Sequence, residues 1–204
     1  MKKGCISIMK TIRIADATLC REQNAFSFKE KIEIARQLEK LCVDVIEIPA
    51  ISDARTDILF VKTVSSFVKK GVLSVAAGLT KESIEQAAAA LSNASHPCIR
   101  IELPVSPVGM EYTCHKKPDK MLIWVGEAVK MAKEKCNCVE FCALDATRTE
   151  PEFLKKLVET AKAGKPFLFC YYFDRGGHAI VAYDYKLAAD GSHNIITYDN
   201  RYPN

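Results

Sequence analysis

The chain has 204 residues, 49% apolar and 26% charged, enough for one compact domain or slightly more and not for two full-sized ones. Lys and Arg outnumber Asp and Glu by 29 to 25, and a formal charge of +4 is too small to drive binding to a phosphate backbone, so no nucleic-acid partner is expected. No run reaches the roughly 18 apolar residues of a membrane span, and the apolar stretch after Met1-Lys2-Lys3 is too short for a signal-peptide core, so a cytoplasmic chain without membrane contact is expected. Nine cysteines, an odd count without an export signal, read as reduced thiols, most of them small core hydrophobes.

The predicted elements alternate. A β-branched apolar run at residues 12–19 is followed by a helical pattern at 29–41, where Ser27 lies three residues before Glu30 as in a capping box. A second strand, 43–49, precedes a helix at 57–69, with Gly71 placed to end it in a left-handed conformation. A third strand, 72–79, leads through a Thr80 cap into a helix at 81–91, and a fourth, 98–105, precedes a helix at 119–135. The fifth strand, 138–144, is followed by Thr149-Glu150-Pro151-Glu152, which opens a helix at 151–163 with acids and a proline in its first turn and Gly164 beyond its end.

Several of these runs are apolar on both faces, as strands of a parallel sheet covered by helices must be. Five βα units in series predict an α/β protein, a partial (β/α)8 barrel, since a whole barrel takes roughly 250 residues. After residue 164 the grammar changes. Aromatic and β-branched runs at 166–172, 178–187 and 194–200 are split by Asp174-Arg175-Gly176-Gly177 and Asp190-Gly191-Ser192, which predicts an antiparallel meander. The expected modules are therefore residues 1–164, barrel-like, and 165–204, β-rich.

Four motifs occur in order in the first module: Asp16-Ala17-Thr18-Leu19-Cys20-Arg21-Glu22-Gln23, Val43-Asp44-Val45-Ile46-Glu47, Ser106-Pro107-Val108-Gly109-Met110-Glu111-Tyr112, and the run from Val139 to Phe153. Together they resemble the 2-isopropylmalate synthase and homocitrate synthase family, the pyruvate-carboxyltransferase-like group of metal-dependent TIM barrels. The resemblance implies an acyltransferase that condenses acetyl-CoA with a 2-oxo acid in amino-acid biosynthesis, using a divalent Mg, Mn or Zn ion. The family's first-strand pattern is Asp-Thr-Thr-Leu-Arg, an acid, then Gly-Glu-Gln, its arginine stabilising the enolate oxygen and its acid holding the metal. By that pattern Arg21 takes the catalytic role and Glu22 the metal. A second alignment, which sets Glu22-Gln23 on the family's Glu-Gln, loses the arginine. Glu140 and Cys142 on the fifth strand are the substrate-contacting candidates.

The chain departs from the family elsewhere. Cys142-Ala143-Leu144-Asp145 stands where Ser-x-Glu-Asp is usual, Glu102 stands at the fourth strand's histidine, and the His-x-His pair of the seventh strand has no counterpart. The expected chain is thus a shortened synthase in which a metal held by one carboxylate binds weakly. Cys136-x-Cys138-x3-Cys142 has the look of a zinc set, but these residues fall on a buried strand whose alternate side chains face opposite ways, and they are read as structural. His96, beside Pro97, and His115, in a lysine-rich loop, are read as surface residues.

In the tail, Gly176-Gly177-His178-Ala179-Ile180-Val181 and Ile195-Ile196-Thr197-Tyr198-Asp199-Asn200 resemble the C-terminal half of a papain-like cysteine peptidase. The resemblance implies His178 as a base oriented by Asp199 or Asn200. The bland alternative is a histidine and an acid that stabilise a small sheet. A half-barrel also leaves strand edges to be covered, by the tail or by a second copy of the chain in a homo-oligomer.

Overall fold

The computed structural model describes residues 13–20 and 26–162, together with the backbone of strands at 169–170, 181–187 and 193–198. Five strands, β1 (Ala15–Asp16), β2 (Val45–Ile48), β3 (Val72–Ala77), β4 (Pro97–Pro104) and β5 (Val139–Leu144), run parallel in chain order and curl into a half-barrel. The helices between them are α1 (Phe28–Lys40), α2 (Ala54–Phe67), α3 (Lys81–Ala90), α4 (Pro118–Lys135) and α5 (Pro151–Lys162). Each lies within a few residues of its predicted position.

The local signals explain most of these boundaries. Ser27 and Glu30 form the expected capping box, and the Thr80 hydroxyl accepts the Ser83 N–H. Helix α2 starts three residues before its predicted start because Asp53, overlooked as a cap, accepts the N–H groups of Arg55 and Thr56. Gly71 is not left-handed as expected; a Cβ there would come within 3.1 Å of the Val43 carbonyl, so close approach is what selects glycine. The left-handed residue after α1 is Cys42, at φ 57°. Gly164 lies outside the described residues. The segment after β4 contains a π-helical stretch, Gly109–Cys114, that ends at left-handed His115.

One face of the sheet carries the apolar core. Ile46 and Ile48 of β2, Leu73 and Val75 of β3, Ile99 and Ile101 of β4, and Phe141 of β5 pack under Val61 and Val64 of α2, Ile84 of α3, Met121 and Val125 of α4, and Leu157 of α5. The intervening residues of the same strands turn to the barrel interior. There register sets Glu47 beside Ser74, Arg100 beside Glu140, and Glu102 beside Cys142.

The tail joins this sheet. Strand β6 (Phe169–Cys170) pairs with β5 in parallel, while β7 (Val181–Leu187) and β8 (His193–Tyr198) follow as antiparallel neighbours. The expected antiparallel meander therefore begins one strand later than the sequence suggested. The reason is that α5 serves as the crossover a parallel partner requires, so β6 continues the βα grammar before the hairpin interrupts it.

Candidate functional site

The barrel interior is organised by one guanidinium. Arg100, 1% exposed at the middle of β4, is held among acceptors from three strands and from Cys20. Its Nε donates to Glu102 Oε1 at 2.7 Å, and its Nη1 lies 3.6 Å from Glu47 Oε2 and donates to the Ser74 hydroxyl at 3.1 Å and the Ser74 carbonyl at 3.3 Å. Nη2 donates to the Ile48 carbonyl at 3.5 Å and reaches the Cys20 sulfur at 3.6 Å. The Ser74 hydroxyl donates onward to Glu140 Oε2 at 2.8 Å, so three carboxyls and one serine are tied to a single cation. Arg is suited to this because its planar fork presents several donors at once and stays charged when buried.

The electrostatics follow from that layout. Burial acts to lower the Arg100 pKa, but the Glu102 and Glu47 carboxylates more than offset it, and the guanidinium is held above its ordinary value. Burial pushes the Glu140 carboxyl up, against the Ser74 hydroxyl and Arg100, which pull it down. The Cys20 thiol is pushed up to about 11 by burial, with Arg100 opposing. Cys20 is thus a protonated thiol at neutral pH, directly after Leu19.

At the C-terminal ends of β4 and β5, where barrel active sites open, a concavity of about 550 Å³ lies between the following loops. Met110 and Phe153 give it apolar walls, and its rim sets Lys116 and Lys117 against Glu111 and Glu150, with His115 beside them. Beside it Asp145, left-handed at φ 59°, accepts from Arg148 Nε at 2.7 Å, a contact that holds its carboxyl below the usual range.

The predicted residues fall into two groups. Glu140 and Cys142 both sit buried on the barrel interior, two residues apart on β5. Arg21, Glu22, His178 and Asp199 lie outside the described residues. His96 and His115 are exposed, as read. Of the three cysteines with the look of a zinc set, Cys136 and Cys142 are buried and Cys138 is exposed. Among the described residues no three His, Cys, Asp or Glu side chains gather as an ion would require, and the interior carboxylates are turned onto Arg100 and Ser74. The described donor set therefore does not fit a divalent metal.

Sequence reasoning missed Arg100. The available signal was charged residues set singly inside apolar strands, Glu47 in Val45-Ile46-Glu47-Ile48, Arg100 and Glu102 in Ile99-Arg100-Ile101-Glu102-Leu103, and Glu140 in Val139-Glu140-Phe141. Charges of both signs at period two on neighbouring parallel strands must meet on one face.

The HMGL-like family model matches residues 12–170. The chain is 38% identical over 136 residues to 2-isopropylmalate synthase of Lactococcus lactis subsp. cremoris, covering 67% of this chain and 26% of the relative. It is 36% identical over 157 residues to the 2-isopropylmalate synthase of Shouchella clausii, covering 75% and 30%. Against the 2-isopropylmalate synthase of Aquifex aeolicus it is 36% identical over 154 residues, covering 74% and 30%. The chain thus spans less than a third of the length of these curated relatives. With the family match extending from β1 to β6, and with the parallel half-barrel that the sequence motifs predicted, the chain belongs to the HMGL-like family.

Proposed function

We propose that the chain is an acyltransferase-like protein of the class that condenses acetyl-CoA with a 2-oxo acid, and that it does not by itself complete the condensation. The observation that carries this reading is the closure of the Arg100 network. Condensation needs a cation directed at the developing enolate oxygen and carboxylates directed at the substrate side. Here Glu102 and Glu47 take up Arg100, and Ser74 takes up Glu140, so the described interior is compensated within itself.

The test is release of free CoA, followed by chromatography, from acetyl-CoA mixed with the protein and a series of 2-oxo acids in the presence of Mg²⁺, Mn²⁺ or Zn²⁺. The expected outcome is a rate equal to the protein-free control. Turnover that disappears in Arg21→Ala and Glu22→Ala overturns the reading and assigns those two residues the enolate-stabilising and metal-holding roles that the resemblance implies. Three further proposals rest on the sequence alone: a cytoplasmic location, edges covered by a second copy of the chain, and a His178–Asp199 pair of hydrolase type. Membrane-fraction recovery, a monomeric sedimentation mass and His178-independent cysteine labelling respectively count against them. Among the described residues no helix is long and apolar enough to cross a membrane.

A further inference from the structure

At the end of the sheet opposite the loops that follow β4 and β5, two cysteines face each other across adjacent parallel strands. Cys98 is the second residue of β4 and Cys138 directly precedes β5; Ile99 registers with Val139, and the Ile99 N–H donates to the Cys138 carbonyl at 3.1 Å. Their sulfurs lie 3.0 Å apart. Neighbouring strands run about 4.8 Å apart, inside the roughly 4.4–6.8 Å Cα separation that a disulfide spans, so a bond between these sulfurs requires no movement of the backbone. Cys136, two residues earlier, is turned away, its sulfur 3.4 Å from the Pro97 carbonyl.

The two thiols are unequal. Cys98 is fully buried, whereas Cys138 is exposed on a concavity of about 440 Å³ that is also lined by His96, Lys133 and Lys135. The contact with Cys98 draws the Cys138 thiol down in pKa, with Arg13 helping and with burial and Glu140 opposing. The same contact, with burial, pushes Cys98 up. Exposure makes Cys138 the sulfur that an oxidant in solvent reaches first, and the directions of the two shifts agree with it as the attacking member of the pair.

We propose that Cys138 and Cys98 form a reversible dithiol–disulfide pair, a modification site for hydroperoxides in which Cys138 attacks and Cys98 resolves. The Cys138 thiolate attacks one oxygen of hydrogen peroxide, the O–O bond breaks, and hydroxide leaves as water with a proton from solvent, giving a sulfenic acid. The Cys98 sulfur then attacks the Cys138 sulfur; the S–O bond breaks and the hydroxyl leaves as a second water, carrying the Cys98 proton. Two thiols are oxidised to one disulfide and one peroxide is reduced to two waters. This site adjoins the Arg100 network, Cys98 registering beside Ser74, but neither sulfur donates to or accepts from Glu140 or Arg100 in the contacts described, and its oxidation does not depend on whether the chain condenses acetyl-CoA.

The experiment exposes the full chain to hydrogen peroxide, quenches it, alkylates it in denaturant and maps the peptides by mass spectrometry. The expected result is loss of two of the nine thiols, a single dominant cross-linked peptide joining Cys98 to Cys138, and full reversal by dithiothreitol. In Cys98→Ala the expected product is a Cys138 sulfenic acid trapped by a dimedone-type probe, which the wild type does not give. Should Cys98→Ala fail to fold by circular dichroism, Cys138→Ser, at an exposed position, must abolish the loss of two thiols while leaving the spectrum unchanged. Over-oxidation of Cys138 without the cross-link, linkage to Cys136 as often as to Cys98, or an undiminished thiol loss in Cys138→Ser each overturns the proposal.

Discussion

The same five strands present two faces that are held by different physics. The helix-covered face is a continuous apolar layer, in which Ile46, Ile101 and Phe141 gain stability in proportion to the area they remove from water. The interior face carries Glu47, Ser74, Arg100 and Glu140, all buried, with Glu102 partly exposed beside them, and there a buried charge is tolerable only because another compensates it. The difference teaches that burial alone says little about what a position contributes. On one face losses are graded by volume; on the other they depend on whether a partner is left stranded.

The largest expected effect comes from breaking the interior. Arg100→Ala leaves Glu47 and Glu102 without their cation and Ser74 without a donor, and a loss of about 3–5 kcal/mol is expected by urea unfolding. A loss below about 1 kcal/mol would show that water or neighbouring backbone takes over, and the contrast between the faces would collapse.

The apolar face should answer more gently and by degrees. Ile101→Ala is expected to cost about 2–5 kcal/mol and Ile101→Val about 1 kcal/mol, since each removes methyl groups from a fully buried side chain. Equal costs for the two substitutions would contradict the graded picture.

The smallest effect sharpens the comparison through pH. The folded Glu140 carboxyl titrates above its ordinary value of 4.5 because burial dominates. A raised carboxyl contributes stability that is complete below the unfolded value and is lost as pH rises through the folded one. Glu140→Gln should therefore be more stable than wild type at neutral pH, with the gain shrinking as the pH falls through the raised folded value toward 4.5 and levelling off below it, measured by thermal melts across that range. A gain independent of pH would mean that the carboxyl does not titrate as the geometry requires.

Much of this architecture was legible from residues. Ser27 with Glu30, Thr80, and Pro151 following Glu150 marked helix starts, and β-branched runs marked the strands, because these signals act within a few residues of themselves. Asp53 was overlooked although its signal is as local, its partners lying two and three residues on, but most of what escaped depended on distant partners. Gly71 is fixed by a carbonyl 28 positions earlier in the chain, at Val43. The parallel setting of β6 was hidden because a two-residue pairing leaves too short a period to reveal direction. Arg100 escaped because its meaning lies in Glu47, 53 residues before it. Glu140 and Cys142 were read correctly as lying on the fifth strand, yet what Glu140 touches became visible only when Ser74 and Arg100 came beside it.

Because every strand lies next to the one made just before it, a chain leaving the ribosome can add each βα unit to a finished neighbour. The charge network does not share that schedule. Glu47 emerges with β2 and Arg100 only with β4, so the ion pair between them cannot form until two further βα units have been made.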